Sequence, residues 1–213
     1  MATKKKTEDT NIIIPPLTIK EFDLHIIGTS PLISHKWSEK AKKMMLDKTM
    51  KKATAGKDAK RPCLEYANTL YWLSEKPDLE SMSDEEIMES VSNGRFGFPT
   101  LAFKASAIAG AYRSNILDKM TTARGAFHID GELAEIIGKP EIMESNVKIG
   151  MGGAEMRYRA IFPEWEATLH IKFNEKAMSL EQIVNLFNVG GFACGVGDWR
   201  PEKDGSHGMY KVC

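Results

Sequence analysis

The densest run of unusual chemistry in the chain is Gly190-Gly191-Phe192-Ala193-Cys194-Gly195-Val196-Gly197-Asp198-Trp199-Arg200-Pro201. Its glycines let a backbone come close to a ligand or a neighbouring surface, and Trp199-Arg200 sets a stacking face beside a fixed cation. The alternative for the same residues is a compact loop in which Trp199 plugs the core and Asp198 pairs with Arg200. A second glycine run, Gly150 to Gly153 with Met151 inside it, precedes Arg157 and Arg159. Gly150, Gly152, Gly153, Gly190, Gly191, Gly195 and Gly197 are accordingly read as flexible-loop positions. The third feature is a basic stretch from Lys36 to Arg61, with ten basic and three acidic residues, a net +7. Lys36, Trp37, Lys40, Lys42 and Lys43 at its start are the residue types that follow a phosphate backbone, or else they form a solvated helix face. From Glu75 to Glu89 seven acidic residues face one lysine, a net −6. The chain as a whole is neutral, which argues against a surface built everywhere to clamp phosphate.

Catalytic and metal signatures are missing from the sequence. His25, His35, His128, His170 and His207 include no H-x-x-x-H pair and no cysteine neighbour, so no metal site is expected. His35, in a loop beside the basic stretch, is the histidine best placed for function. No G-x-S-x-G elbow and no phosphate-loop motif occurs. Gly191 to Gly197 resembles a dinucleotide loop only superficially, because it follows a helix rather than a strand. Cys63, Cys194 and Cys213 are too few and too widely spaced for a disulfide framework, and Cys194 reads as a buried thiol. Hydrolytic chemistry would have to come from scattered acids such as Asp130, Glu132 and Asp198. No cofactor is expected.

The elements that must carry these residues follow from spacing. Residues 1–14 are lysine-rich and aperiodic, a disordered tail, and 15–213 form a single domain. Leu17 to Ile26 reads as a strand with a slip near Lys20-Glu21, followed by a loop carrying Leu32, Ile33 and His35. Helices are expected from Ser38, from Pro62 through Leu73, from the capping box Ser83-Asp84-Glu85-Glu86 to Asn93-Gly94, and from Pro99 through Leu117. Strands follow near 126–130, 133–137, 143–149 and 158–162. Trp165, Ala167, Leu169, Ile171 and Phe173 give the cleanest alternation. A second capping box, Ser179-Leu180-Glu181-Gln182, opens a helix that should stop at Gly190, and a short strand closes the chain near 207–212. The order implies an α+β sandwich with antiparallel neighbours.

Gly28-Thr29-Ser30-Pro31-Leu32-Ile33 and Gly195-Val196-Gly197-Asp198-Trp199-Arg200-Pro201-Glu202 resemble segments of small proteins carried by phages and prophages. Together with Gly110-Ala111-Tyr112-Arg113 on the helix after Pro99, they remotely resemble the RAMP superfamily, which supplies backbone subunits of CRISPR effector complexes. That resemblance implies a ferredoxin-like or RRM-like antiparallel sheet with helices on one face and a helical insertion over about 38–92. It also implies copies lying side by side along single-stranded nucleic acid. The expected protein is thus a non-enzymatic, phage-type binder of single-stranded RNA or DNA in the cytoplasm of a bacterial host, a homo-oligomer or filament with no membrane partner. Its contact residues would be Lys36, Trp37, Lys40, Lys42, Lys43, Arg113, Arg157, Arg159, Trp199 and Arg200. The alternatives are an assembly or regulatory protein that binds a host or defence factor, and a metal-dependent nuclease. The neutral charge departs from the nucleic-acid pattern, and the acidic stretch offers a face for the basic stretch of a neighbouring copy.

Overall fold

The computed structural model describes residues 16–50, 59–149 and 153–213; the expected tail lies outside them. β1 (Ile19–Gly28) and β2 (Leu32–Ser34) lead into α1 (Glu39–Thr49), α2 (Pro62–Asn68), β3 (Tyr71–Trp72), α3 (Asp84–Asn93), β4 (Phe96–Pro99) and α4 (Thr100–Arg113). Then come α5 (Met120–Arg124), β5 (Phe127–Ile129), β6 (Leu133–Ile137), β7 (Glu141–Ile149), β8 (Gly153–Phe162) and β9 (Glu166–Asn174). The chain ends with α6 (Leu180–Ala193), a 3-10 turn at Pro201–Lys203 and β10 (Tyr210–Val212).

Alternation builds the main sheet. Ala167, Leu169, Ile171 and Phe173 of β9 are buried together with Leu24 and Ile26 of β1, while Glu166, His170 and Lys172 stand on the other side with Asp23 and Glu21. The order is β10-β1-β9-β6-β4-β3, with β5 also on β9, and every pairing is antiparallel. Connected as β1-α4-(β5, β6)-β9-α6-β10, the first four strands in that order make a ferredoxin-like unit. α4 and α6 bury Phe103, Ala107, Ile108, Ile183, Leu186 and Phe187 against one face of it. The stretch 38–92 holds α1, α2, β3 and α3. A second sheet, β2-β8-β7, stands beside the first.

Several boundaries differ from the expectations, each for a physical reason. No slip interrupts β1, whose register runs from Ile19↔Asn174 to Ile27↔Glu166 without a break; Leu17 and Ile19 only look out of phase because both are exposed. The loop at Leu32-Ile33 is β2, and β4 precedes the helix expected from Pro99. Both short strands are buried along their whole apolar run and so show no alternation. The helix from Pro62 stops at Asn68, where the Thr69 hydroxyl donates to the Tyr66 carbonyl, and Tyr71-Trp72 pairs with β4 instead. Helix α6 does not stop at Gly190. Gly190 and Gly191 are helical, not loop residues, because they are where α6 presses on its neighbours. A Cβ on Gly190 would sit 2.4 Å from the Ala107 Cα, and one on Gly191 would sit 2.0 Å from the Tyr210 carbonyl oxygen. Gly153 opens β8, and Gly150 and Gly152 lie outside the described residues.

The α4–α6 contact also orients the C-terminal segment. Ser106 Oγ donates to the Gly190 carbonyl at 3.0 Å and accepts from the Tyr210 hydroxyl at 3.2 Å. Tyr210 joins Phe103 and Trp165 in an aromatic cluster with ring centroids 5.9–6.3 Å apart. Gly190→Ala is therefore expected to cost about 1–3 kcal/mol through overpacking. Gly125→Ala, where nothing lies within 4 Å of the added carbon, should stay within about 0.5 kcal/mol of the parent. Denaturant unfolding of the two variants checks the contrast.

Candidate functional site

The register of the second sheet assembles the site. Pairing Ser34 with Ala160 brings His35, the next residue of the β2 strand path, alongside Arg159. Thr69 fastens the two strands: its hydroxyl accepts from the Ala160 amide at 2.9 Å, and its carbonyl accepts from the Ser34 hydroxyl at 2.8 Å. The segment after α6 then folds onto them, with the Asp198 amide donating to the Ile33 carbonyl at 3.2 Å. Asp198 Oδ2 lies 2.8 Å from His35 Nδ1 and 3.4 Å from Arg159 Nε. One carboxylate thus joins β2, β8 and the C-terminal loop.

Arg159 is only 6% exposed. Its Nη1 donates to the Ser145 hydroxyl at 3.4 Å, and its buried Nε has no hydrogen-bond partner among the described residues. Burial weighs against its charge, with the Asp198 carboxylate opposing that effect. Burial likewise works against the charged form of Asp198. The hydrogen bond and charge of His35, and the charges of Arg159 and Arg200, overcome it and hold the carboxyl below the usual aspartate range.

Trp199 is held against this pair. Its φ is +53°, a left-handed backbone uncommon for a bulky residue. The conformation is enforced locally: the His207 amide donates to the Trp199 carbonyl at 3.0 Å, and a Cβ on Gly205 would fall 1.7 Å from that same oxygen. The indole remains 40% exposed, with the Arg159 guanidinium carbon 5.7 Å from its ring centre and the His207 ring 5.9 Å away. It does not plug the core. Next to it, Lys36 Nζ lies 5.7 Å from the Tyr71 ring centre, so two cation-aromatic pairs flank the His35–Asp198 contact. A cleft of about 710 Å³ opens beside them, lined among others by Ile33, His35, Tyr71, Phe98, Leu101, Asp198 and Arg200.

No protein-family model matches the chain, and no curated protein matches it either. The chain is similar to Cmr6 from Pyrococcus furiosus. That crystal structure is 13% identical, aligns over 93% of this chain and 100% of its own, and superposes with a TM-score of 0.35. A likeness at that level assigns neither a family nor a function.

The sequence-selected residues fall into three groups. Arg159 and Trp199 meet at the site just described, and Lys36 lies over Tyr71 beside it. Arg157, two residues along β8, shares the Arg159 side of the strand and is 41% exposed, 3.8 Å from Glu155. Arg200 and Arg113 form a separate cluster around Glu202. Arg200 contacts Glu202 Oε2 through Nε and Nη2 at 2.9 and 2.7 Å and donates to the Gly197 carbonyl, while Arg113 reaches Oε1 at 2.9 Å. In place of the Asp198–Arg200 pair of the alternative reading, Asp198 pairs with His35 and Arg159, and Arg200 pairs with Glu202. Trp37, Lys42 and Lys43 are exposed at the start of α1 and along it; Lys40 also belongs to α1, its side chain outside the described residues. Gly195 and Gly197 do lie in the loop, at φ +64° and +81°, packed on Gly208 and Ile33. Tyr71 was concealed by the helical spacing around it, and nothing in the sequence marks Phe98 or Leu101 as cleft residues. Among the acids considered for hydrolysis, Asp130 is held by Lys172 and His170 on the open sheet face, apart from Asp198 with its His35 and Arg159 partners. Among the described residues no group of three His, Cys, Asp or Glu is placed to hold a metal.

The low Asp198 pKa carries a pH signature. A carboxyl lowered in the folded state adds stability that is complete above its unfolded value, about 3.9, and is lost as pH falls through the lower folded value. Asp198→Asn should lower Tm at neutral pH, and its deficit should shrink below about pH 4. Thermal unfolding of both proteins from neutral pH into that range checks this; a constant deficit would contradict it.

Proposed function

We propose that the chain is a non-enzymatic, single-stranded nucleic-acid-binding protein that self-associates along the strand. The observation that carries the reading is Trp199, held in a left-handed conformation and left half-exposed while Arg159 backs its ring. An exposed indole beside cations is what a strand requires, since every base has a face to stack and every phosphate a charge to offset. Lys36 with Tyr71 repeats the arrangement next to it, and Arg157 adds an exposed charge on the same side of β8. The open face of the main sheet is a poor platform by contrast. On that side β1 and β9 present Glu21, Asp23, His25, Glu166, Thr168, His170 and Lys172, with Asp130 beside them, and neither strand places a Phe, Tyr or Trp there. An RRM-type sheet stacks bases on aromatics at that place.

Leu101, 73% exposed at the cleft, favours a second reading, an assembly factor that seats another protein there. Salt separates the two, because strand binding weakens steeply with salt and apolar docking does not.

Fluorescence anisotropy with a short labelled single strand at low salt is the test. Trp199→Ala should lose about 1–3 kcal/mol of affinity, the worth of one stacked base. Lys36→Gln and Arg157→Gln should each flatten the logarithmic salt dependence by about 0.7. Unchanged affinity in Trp199→Ala would remove the site from the reading. Arg200→Ala, whose guanidinium is already committed to Glu202, should have a smaller effect than Trp199→Ala.

A further inference from the structure

The basic helix α1 is amphipathic by spacing, yet its larger apolar side chains stay about half exposed and belong to no core cluster of the described residues. Ala41, Met44 and Met45 fall on one stripe, and neither they nor Leu46 belong to the core or to the side chains packed on it. Met44, Met45 and Leu46 are 47–58% exposed, and Trp37, just before the helix, is 52% exposed. Lys42 and Lys43 flank the stripe, Lys42 held only by an exposed contact with Glu39 at 2.6 Å.

The same chain also carries a surface of the opposite kind. Between β3 and α3 lies a cleft of about 420 Å³ whose apolar lining is Trp72, Pro77 and Met82 and whose carboxylates are Glu75, Glu86 and Glu89. Met88 of α3 is 39% exposed on the same helix. One surface is apolar with lysines and the other is apolar with carboxylates, and α1 does not fill its own chain's cleft, because its stripe is open to solvent. We infer that α1 of one copy docks in the cleft between β3 and α3 of the next copy. The methionines and Trp37 would cover Trp72 and Met82, with Lys42 and Lys43 facing Glu75 and Glu89. The two surfaces differ, so the contact is heterologous and copies add head to tail rather than closing as a two-fold pair. α1 carries four lysines against Glu39 and Asp47, and the stretch 75–89 is net −6, so the two surfaces attract. The inference supplies the interface for the self-association in the proposed function and does not rest on strand binding at Trp199.

Sedimentation velocity of the full chain, stripped of nucleic acid, tests it. Wild type should gain mass with concentration at low salt and lose part of that gain as salt screens the contact. Lys42→Glu with Lys43→Glu should stay monomeric, and so should Glu75→Lys with Glu89→Lys. All four positions are exposed, so folding is not at risk. An equimolar mixture of the two double variants should recover the wild-type mass, since each acidic helix meets a basic cleft and each basic helix an acidic one. Trp199→Ala should associate as wild type does, which separates failure of this interface from failure of the strand-binding reading. A wild type that is monomeric at every concentration would overturn the inference. So would undiminished association in either double variant, no recovery on mixing, or loss of association in Trp199→Ala.

Discussion

The arrangement around Trp199 depends on keeping one guanidinium charged out of water. Arg159 is almost wholly buried and lacks a full set of hydrogen-bond partners, a placement that costs several kcal/mol unless an opposite charge is fixed beside it. Asp198 is that charge, and it cannot reach Arg159 unless the segment after α6 lies across β2. The same requirement draws His35 in and leaves Trp199, the next residue, against the guanidinium. Compensation of a buried charge therefore fixes the place of the exposed aromatic ring.

Glycines make the approach possible, in a manner different from the one their spacing suggests. Gly190 and Gly191 let α6 close on Ala107 and on Tyr210, setting the position from which the loop departs. Gly208 lies so near the Val196 carbonyl that a Cβ there would be 1.7 Å from the oxygen. The Gly195 amide is tied to the Gly190 carbonyl at 2.9 Å. These are contacts within the chain, and their effect is to stiffen the segment. Under the proposed function, a rigid Trp199 would lose little freedom on stacking with a base, which is the advantage of preorganisation.

Much of the scaffold could be read directly. Alternation in β9 and the capping boxes at Ser83 and Ser179 appear where spacing put them, and both boxes are complete, each serine accepting from the amide three residues on. What could not be read lacks a periodic signal: β2 and β4 are buried along their apolar runs, and Tyr71-Trp72 follows a helical pattern into a strand. The site was legible in its residue types and not in its pairings. Trp199, Arg159 and Lys36 stand out by type, but only the fold shows that Arg159 packs on Trp199 and that Lys36 lies over Tyr71. Arg200 stood out equally and proved to be neutralised by Glu202, two residues away. Asp198 was weighed as a partner for Arg200 or as a hydrolytic acid, and neither spacing nor composition points to Arg159 as its counterpart.

In the proposed reading the ferredoxin-like unit is a support rather than the binding face. Its open side carries an ion-pair mesh in which His170 meets Asp23, Glu21 and Asp130; the hydrogen bonds to Asp23 and Glu21, with the charges of Asp23 and Asp130, hold the imidazole above its usual pKa. A polyanion would be repelled by those carboxylates. The loop folded onto the second sheet instead sets the exposed Trp199 ring against Arg159, with Lys36 over Tyr71 of β3 next to it. Photo-crosslinking of a bound single strand, followed by peptide mass spectrometry, tests this division most directly. The expected result is crosslinked peptides containing Trp199, Tyr71 or the Arg157–Arg159 stretch of β8. Crosslinks confined to β1 and β9, on the open face of the main sheet, would contradict it.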